Sequence, residues 1–132
     1  MRVESVDTNV LMRLAIESPD DQTLRARALL ASDEAIFSVS LVMLAEFVHV
    51  LISYYGRTRA EAAESTRRII GIESVVCQRD VVLPALDMFE AHPKLSFEDC
   101  LAAEQASTSG ATPLWTFDTK LAKQHPAAKL VA

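Results

Sequence analysis

The chain has 132 residues, of which 50% are hydrophobic and 23% are charged, and its formal net charge is −5. This length suits one domain with a substantial core, and the composition excludes a disordered chain. The acidic balance argues against broad electrostatic binding to nucleic acid. A metal-dependent nuclease stays open, because bound cations reverse the sign of an acidic pocket.

No stretch has the form of a signal peptide or a membrane span. The first seven residues contain three charged side chains, and the longest apolar stretch, residues 41–52, is too short to cross a bilayer. The two cysteines, Cys77 and Cys100, do not have the spacing of a metal-binding pair or of a disulfide framework. We therefore expect reduced thiols in a cytoplasmic protein with no membrane partner.

The chain opens with a predicted strand, Arg2 to Val6, which leads through Asp7 into an apolar helical stretch from Val10 to Ile16. In open α/β sheets ligands bind at the carboxyl ends of the strands, which is where Asp7 stands. Aspartate is also a preferred helix N-cap. Taken alone, Asp7 is therefore interpreted as a cap.

The second helix is predicted from Pro19 to about Ser32, with Ser18 as its cap. A short strand follows at Ala35 to Val39. Ser40 then caps a third helix, Leu41 to Tyr55, which stops at a glycine.

The third helix is apolar at nearly every position except Glu46, His49 and Ser53. A helix that is apolar all round is buried, so Glu46 is predicted to need a hydrogen-bond partner, a base or a cation. Mutual satisfaction of Glu46 and His49 and a metal site are both open. A Glu-x-x-His pair also occurs in di-iron helical bundles, but these require a second such pair, which this sequence lacks.

A capping box at Thr58 and Glu61 opens a fourth helix, and residues 74–77 form a third predicted strand. Asp80 is predicted to cap a fifth helix that tolerates Pro84 in its first turn. The sequence therefore alternates strands and helices, as α/β proteins do.

The last third of the chain places two more acids at the ends of predicted elements. Asp99 lies in the first turn of a helix that ends at Ser109 before Gly110, and Asp118 follows a strand predicted from Pro113 to Phe117. Each acid can be explained as a helix cap. Four acids at one rim of one sheet, however, would provide the oxygen ligands that a hard cation prefers.

These residues resemble the PIN-domain ribonucleases and, within that family, the VapC toxins of bacterial toxin–antitoxin pairs. The matching pieces are Val6-Asp7-Thr8-Asn9-Val10-Leu11, Glu46, Phe97-Glu98-Asp99-Cys100-Leu101-Ala102-Ala103 and Thr116-Phe117-Asp118-Thr119-Lys120-Leu121. The resemblance covers essentially the whole chain, residues 1–132, as a single PIN-like nuclease domain. It implies a three-layer α/β/α sandwich with a mainly parallel central sheet.

The resemblance also implies roles for particular residues. The expected catalytic quartet is Asp7, Glu46, Asp99 and Asp118. Asp7 and Asp99 are the expected direct metal ligands. Asp118 is also expected at the metal site, where it and Glu46 act through water or position the nucleophile. Asn9 and Thr116 are expected to orient the acids or a water, and Arg13 and Lys120 are candidate contacts to RNA phosphates. Glu98 adjoins Asp99, but the Phe-x-Asp-Cys-Leu alignment favours Asp99.

The implied chemistry is hydrolysis of RNA phosphodiester bonds with one or two Mg²⁺ or Mn²⁺ ions and no catalytic histidine or cysteine. The implied partners are an RNA substrate, a VapB-like antitoxin and a second copy of the chain in a homodimer. Tyr54 or Tyr55 is a candidate for the antitoxin groove or the dimer contact, and burial of both in the core is the other possibility.

Four other functions make different demands on the sequence. A phosphoacceptor receiver domain needs paired acids after its first strand and a lysine after its last, and both are missing here. A haloacid dehalogenase phosphatase needs Asp-x-Asp, where this chain has Asp7-x-Asn9. A housekeeping PIN nuclease in RNA processing and a catalytically inactive binding module both remain compatible with the sequence.

Overall fold

The computed structural model describes all 132 residues, and the chain forms two compact units, Met1–Gln78 and Arg79–Ala132. The first unit contains β1 (Arg2–Ser5), α1 (Thr8–Ile16), α2 (Asp20–Ala31), β2 (Ala35–Ser38), α3 (Leu41–Ser53), α4 (Arg59–Ile70) and β3 (Val75–Val76). The second contains α5 (Arg79–Ala91), α6 (Phe97–Ser109), β4 (Leu114–Thr116), α7 (Thr119–Gln124) and β5 (Ala128–Leu130). None of the helices has the length and apolar character needed to cross a bilayer.

The first unit is built on a three-stranded parallel sheet in the order β1-β2-β3. Helices connect each strand to the next, because parallel neighbours need a crossover connection. The fully buried side chains come from both the strands and the helices, and they include Leu11, Phe37, Leu44, Phe47, Leu51, Ile70 and Val75. Each such side chain stabilises the folded unit by roughly 1.5–3 kcal/mol relative to leaving it in water.

The second unit packs the helical pair α5 and α6 and a two-stranded parallel sheet of β4 and β5. The rings of Phe89 and Phe97 meet edge to face with centroids 5.5 Å apart, which joins the two helices. Between β4 and β5 the chain crosses over through the short helix α7. The predicted α/β class with parallel strand pairing is therefore confirmed, and the strands group into two sheets.

Most predicted helix boundaries are confirmed by their caps. The Ser40 hydroxyl accepts the Met43 N–H, and Thr58 and Glu61 form the complete capping box. Gly110 ends α6 with a φ of 77°, in the left-handed region where a side chain is disfavoured.

Two predicted caps are wrong. Ser18 does not cap α2, because the helix begins at Asp20 and the residue before it is Pro19, whose side chain cannot accept a hydrogen bond. Asp80 does not cap α5 either. The helix already includes Arg79, so Asp80 lies inside its first turn, where its charge still suits the helix dipole.

Candidate active site

Asp7 lies where β1 passes into α1 and caps that helix. Its Oδ1 atom accepts the backbone N–H groups of Asn9 at 3.0 Å and Val10 at 3.3 Å. Its second oxygen, Oδ2, accepts no hydrogen bond from the protein, and the residue is exposed. The cap interpretation is therefore correct for one oxygen and leaves the other available to a ligand.

Glu46 is exposed, and the prediction that it is buried in α3 is wrong. The helix buries one stripe, which includes Leu44, Phe47 and Leu51, while Val42 on another side is 77% exposed. α3 therefore has more apolar side chains than the rest of the unit covers. The apolar composition therefore overstated how much of the helix is enclosed.

The partner of Glu46 is Thr8 and not His49. The Thr8 hydroxyl, on a residue only 8% exposed, donates to Glu46 Oε2 at 3.1 Å and lies 3.6 Å from the Met43 sulfur. This bond links the first turn of α1 to the middle of α3. Sequence reasoning assigned Thr8 no role, although its place directly after Asp7 at a helix start was a usable signal.

Asp99 is the third residue of α6 and is half-buried, whereas the neighbouring Glu98 is exposed. The Asp99 backbone N–H donates to the Ser96 hydroxyl oxygen at 3.1 Å. Its carboxylate accepts no hydrogen bond from the protein. Ser96 therefore caps the helix, and capping does not use the carboxylate of Asp99.

Asp118 follows β4 and caps α7 in the same manner as Asp7 caps α1. Its Oδ1 atom accepts the N–H groups of Lys120 at 2.8 Å and Leu121 at 3.2 Å. The Asp118 N–H itself donates to the Thr116 hydroxyl oxygen at 2.9 Å. Thr116 thus fixes the backbone of Asp118.

The PIN domain family matches residues 5–125 of the chain, a range that includes all four of these acids. The chain belongs to the PIN domain family. Among solved structures, the chain resembles the crystal structure of VapBC2 from Rickettsia felis bound to a DNA fragment from their promoter, with 16% identity over 98% of this chain and 97% of that chain and a TM-score of 0.41. No curated protein matches the chain.

The donor chemistry of this PIN domain fits a hard divalent cation. Asp7, Glu46, Asp99 and Asp118 each keep at least one carboxylate oxygen without a protein partner. No group of three carboxylate, imidazole or thiol side chains forms a ready-made metal cage. Mg²⁺ is commonly held by one or two carboxylates together with waters and substrate phosphates, so such a cage is not required.

One expected supporting residue and one candidate RNA contact line the same cavity of the PIN domain's first unit. Asn9 and Arg13 border a cavity of about 500 Å³, together with Val10, Gln22, Arg25, Ala26 and Leu29. Arg13 is half-buried and donates from Nη1 to the Ser18 carbonyl at 2.8 Å, which leaves its other N–H groups for a further acceptor. Lys120 is exposed, and its side chain makes no ion pair.

The second unit also contains a buried polar pair that sequence reasoning missed. His125 is 4% exposed, and its Nε2 lies 3.2 Å from Glu104 Oε2. Its Nδ1 accepts the Ala127 N–H at 3.0 Å, so the ring proton is on Nε2 and is donated to Glu104. The pair ties the end of α7 to α6, the two helices whose first turns are formed around Asp118 and Asp99. A histidine at a helix end gave no signal specific enough to predict this.

Proposed function

We propose that this PIN domain is a metal-dependent endoribonuclease that hydrolyses RNA phosphodiester bonds. The observation that carries the proposal is the family match over residues 5–125. The four carboxylates support it, because each retains an oxygen that the fold itself does not use. We assign the catalytic role to Asp7, Glu46, Asp99 and Asp118.

In this mechanism Asp7, Asp99 and Asp118 are the residues that would hold Mg²⁺ or Mn²⁺. When bound, the ion supplies charge neutralisation at the scissile phosphate and a more acidic water. The backbone N–H groups that donate to Oδ1 of Asp7 and of Asp118 fix the direction of Oδ2, so each free oxygen is oriented before a ligand arrives. Such orientation by neighbouring donors is what metal ligands generally require.

Glu46 acts on the water and not as a direct ligand in our assignment. The Thr8 hydroxyl occupies Oε2, so Oε1 is the oxygen that can accept a proton or a hydrogen bond from the attacking water. Arg13 and Lys120 would hold RNA phosphates, since they present N–H groups that no protein carboxylate neutralises.

We further propose that the enzyme is a VapC-like toxin with a VapB-like antitoxin as its partner and that it acts as a homodimer. The resemblance of the sequence motifs supports this assignment. A nuclease that damages its own cell needs an inhibitor, and an acidic site would attract an arginine or lysine from that inhibitor. Tyr54, which is 79% exposed, offers an aromatic contact for either partner.

The nuclease activity is tested with purified protein, cellular RNA and either Mg²⁺ or EDTA, followed by sequencing of the RNA ends. We expect cleavage only with the metal, and we expect Asp99→Asn to abolish it. Glu98→Gln removes the same charge from the adjacent exposed residue and should retain activity. Equal cleavage by the wild type and Asp99→Asn would refute the assignment.

The toxin assignment is tested by inducing the chain alone and together with its candidate antitoxin. Induction alone should arrest growth, and co-expression should restore it. Metal-dependent cleavage without any growth defect would favour a housekeeping PIN nuclease.

A further inference from the structure

Two large aromatic side chains are exposed in the second unit, one on β4 and one directly after it. Trp115 is 56% exposed and Phe117 is 80% exposed. Both rings are large apolar surfaces whose burial would stabilise a protein, so their exposure calls for an explanation. Phe117 stands directly between Thr116 and Asp118, beside the acid to which we assign a catalytic role.

A lysine accompanies the tryptophan. Lys129 on β5 is the register partner of Trp115 on β4, and its Nζ lies 5.5 Å from the centroid of the indole ring. This is a cation–π distance. Lys129 forms no ion pair with a carboxylate, so its charge is not neutralised by the protein. We call Trp115, Phe117 and Lys129 the aromatic surface.

The charge around the aromatic surface differs from that of the whole chain. Between Gly110 and Ala132 the sequence has three lysines, Lys120, Lys123 and Lys129, and one acid, Asp118. None of the three lysines forms an ion pair in the structure. A chain with a net charge of −5 therefore has a locally cationic segment that also carries two exposed aromatic rings.

We propose that the aromatic surface binds single-stranded RNA by stacking bases on Trp115 and Phe117, with Lys129 contacting the phosphate backbone. Proteins bind unpaired nucleic acid with exposed aromatic rings and neighbouring cations. Every base has a flat face that can stack on a ring, and every phosphate carries a negative charge. A second copy of the chain fits less well, since two lysine-bearing surfaces repel each other. The proposal rests on the proposed function for its substrate class, and it adds where the bases are held.

Phe117 directly precedes Asp118, so an RNA strand held at Phe117 would pass one residue from the backbone that carries this carboxylate. The aromatic surface would therefore set which phosphate is presented to the carboxylate. It would also require unpaired bases, which confines cleavage to loops and single strands.

Trp115 is the only tryptophan in the chain, so its fluorescence reports directly on this surface. The assay titrates a short oligouridylate into the Asp99→Asn protein in EDTA, where no cleavage occurs. We expect saturable quenching that weakens as salt increases. An RNA duplex, whose bases are already paired and stacked, should quench far less.

Two variants test the separate contributions. Phe117→Ala should weaken oligouridylate binding about tenfold, and Phe117→Tyr, which keeps the ring, should restore it. Leu24→Ala removes an exposed apolar side chain of the other unit, one without a flat ring, and should leave affinity unchanged. The binding constant K should fall linearly as salt increases when both are plotted as logarithms. Lys129→Gln should make this slope shallower by about 0.7, as expected for one lost phosphate contact, whereas Lys94→Gln should not change it.

Thermal melts of each variant establish that it is folded before its affinity is interpreted. Absence of Trp115 quenching, or unchanged affinity in folded Phe117→Ala, would overturn the proposal. A Trp115 emission that shifts with protein concentration alone would overturn it in favour of self-association. Binding is measured without metal, so it is tested separately from cleavage. Trp115 quenching in a protein that never cleaves RNA would support the aromatic surface and refute the nuclease. Cleavage without Trp115 quenching would support the nuclease and refute the aromatic surface.

Discussion

Asp7 and Asp118 occupy equivalent places in the two units, and their supports differ. Each follows a parallel strand, caps the next helix through Oδ1 and leaves Oδ2 free. The hydroxyl that steadies Asp118 belongs to Thr116, two residues away, whereas the Thr8 hydroxyl beside Asp7 reaches Glu46, 38 residues away. The first unit therefore depends on tertiary packing to arrange its acids, and the second depends on a local turn.

The largest expected effect comes from removing charge while keeping each cap. Asparagine caps helices as well as aspartate does, so Asp7→Asn and Asp118→Asn should change the unfolding free energy by less than about 0.5 kcal/mol. RNA cleavage should fall about 1,000-fold in each, because several kcal/mol of metal-dependent stabilisation is lost. Initial cleavage rates and urea titrations measure the two quantities.

The matched control for this pair is Asp80→Asn, which removes an equal charge from the first turn of α5. It should retain full activity. If Asp7→Asn also retained activity and the Mg²⁺-induced rise in melting temperature, Asp7 would be a cap alone.

The next effect concerns the buried pair that holds α7 to α6. His125→Ala should lower the unfolding free energy by about 2–3 kcal/mol, because it leaves the Ala127 N–H and the Glu104 carboxylate without their partner. Urea titration measures the loss. Lys123→Ala, at an exposed position two residues earlier, should be near neutral. An equally neutral His125→Ala would mean that the pair contributes nothing.

A smaller effect separates the long-range support from the local one. Thr8→Val keeps the shape and removes the donor to Glu46, so cleavage should fall about tenfold while stability falls by about 1 kcal/mol. Thr8→Ser should recover the activity. If Thr8→Val lost stability and no activity, the bond would serve only the packing of α1 against α3.

The smallest effect comes from a helix cap without a proposed catalytic role. The Thr58 backbone N–H donates to Glu61 at 2.9 Å and, with the Thr58 side chain and Arg57, holds the pKa of Glu61 below its ordinary value. A lowered folded-state pKa stabilises the fold above the ordinary glutamate pKa, and this stabilisation is lost as pH falls through the lowered pKa. Glu61→Gln should flatten the acid side of the stability profile measured by thermal melts. An unchanged profile would mean that the capping box is not sensitive to charge.

What could be predicted from the sequence follows the same division between local and long-range contacts. The caps at Ser40, Thr58 and Asp118 depend on residues within one turn, and each was predictable from its neighbours. The partner of Glu46 was not, because it lies on another helix and its choice depends on how α1 packs against α3. The exposure of Glu46 was mispredicted for a related reason, since composition records how apolar a helix is and not how much of it a neighbour covers.

The two carboxylate oxygens of Asp7 and of Asp118 have different roles, and this difference affects which mutations a cell would select. The fold uses Oδ1, which asparagine can replace, and the proposed chemistry uses Oδ2 as part of a charged group, which asparagine cannot replace. If the protein is the toxin that we propose, a cell could therefore escape it through one conservative change without accumulating misfolded chain. Under the same proposal, the surviving lineage would inherit a well-folded, inactive variant that still binds the proposed antitoxin.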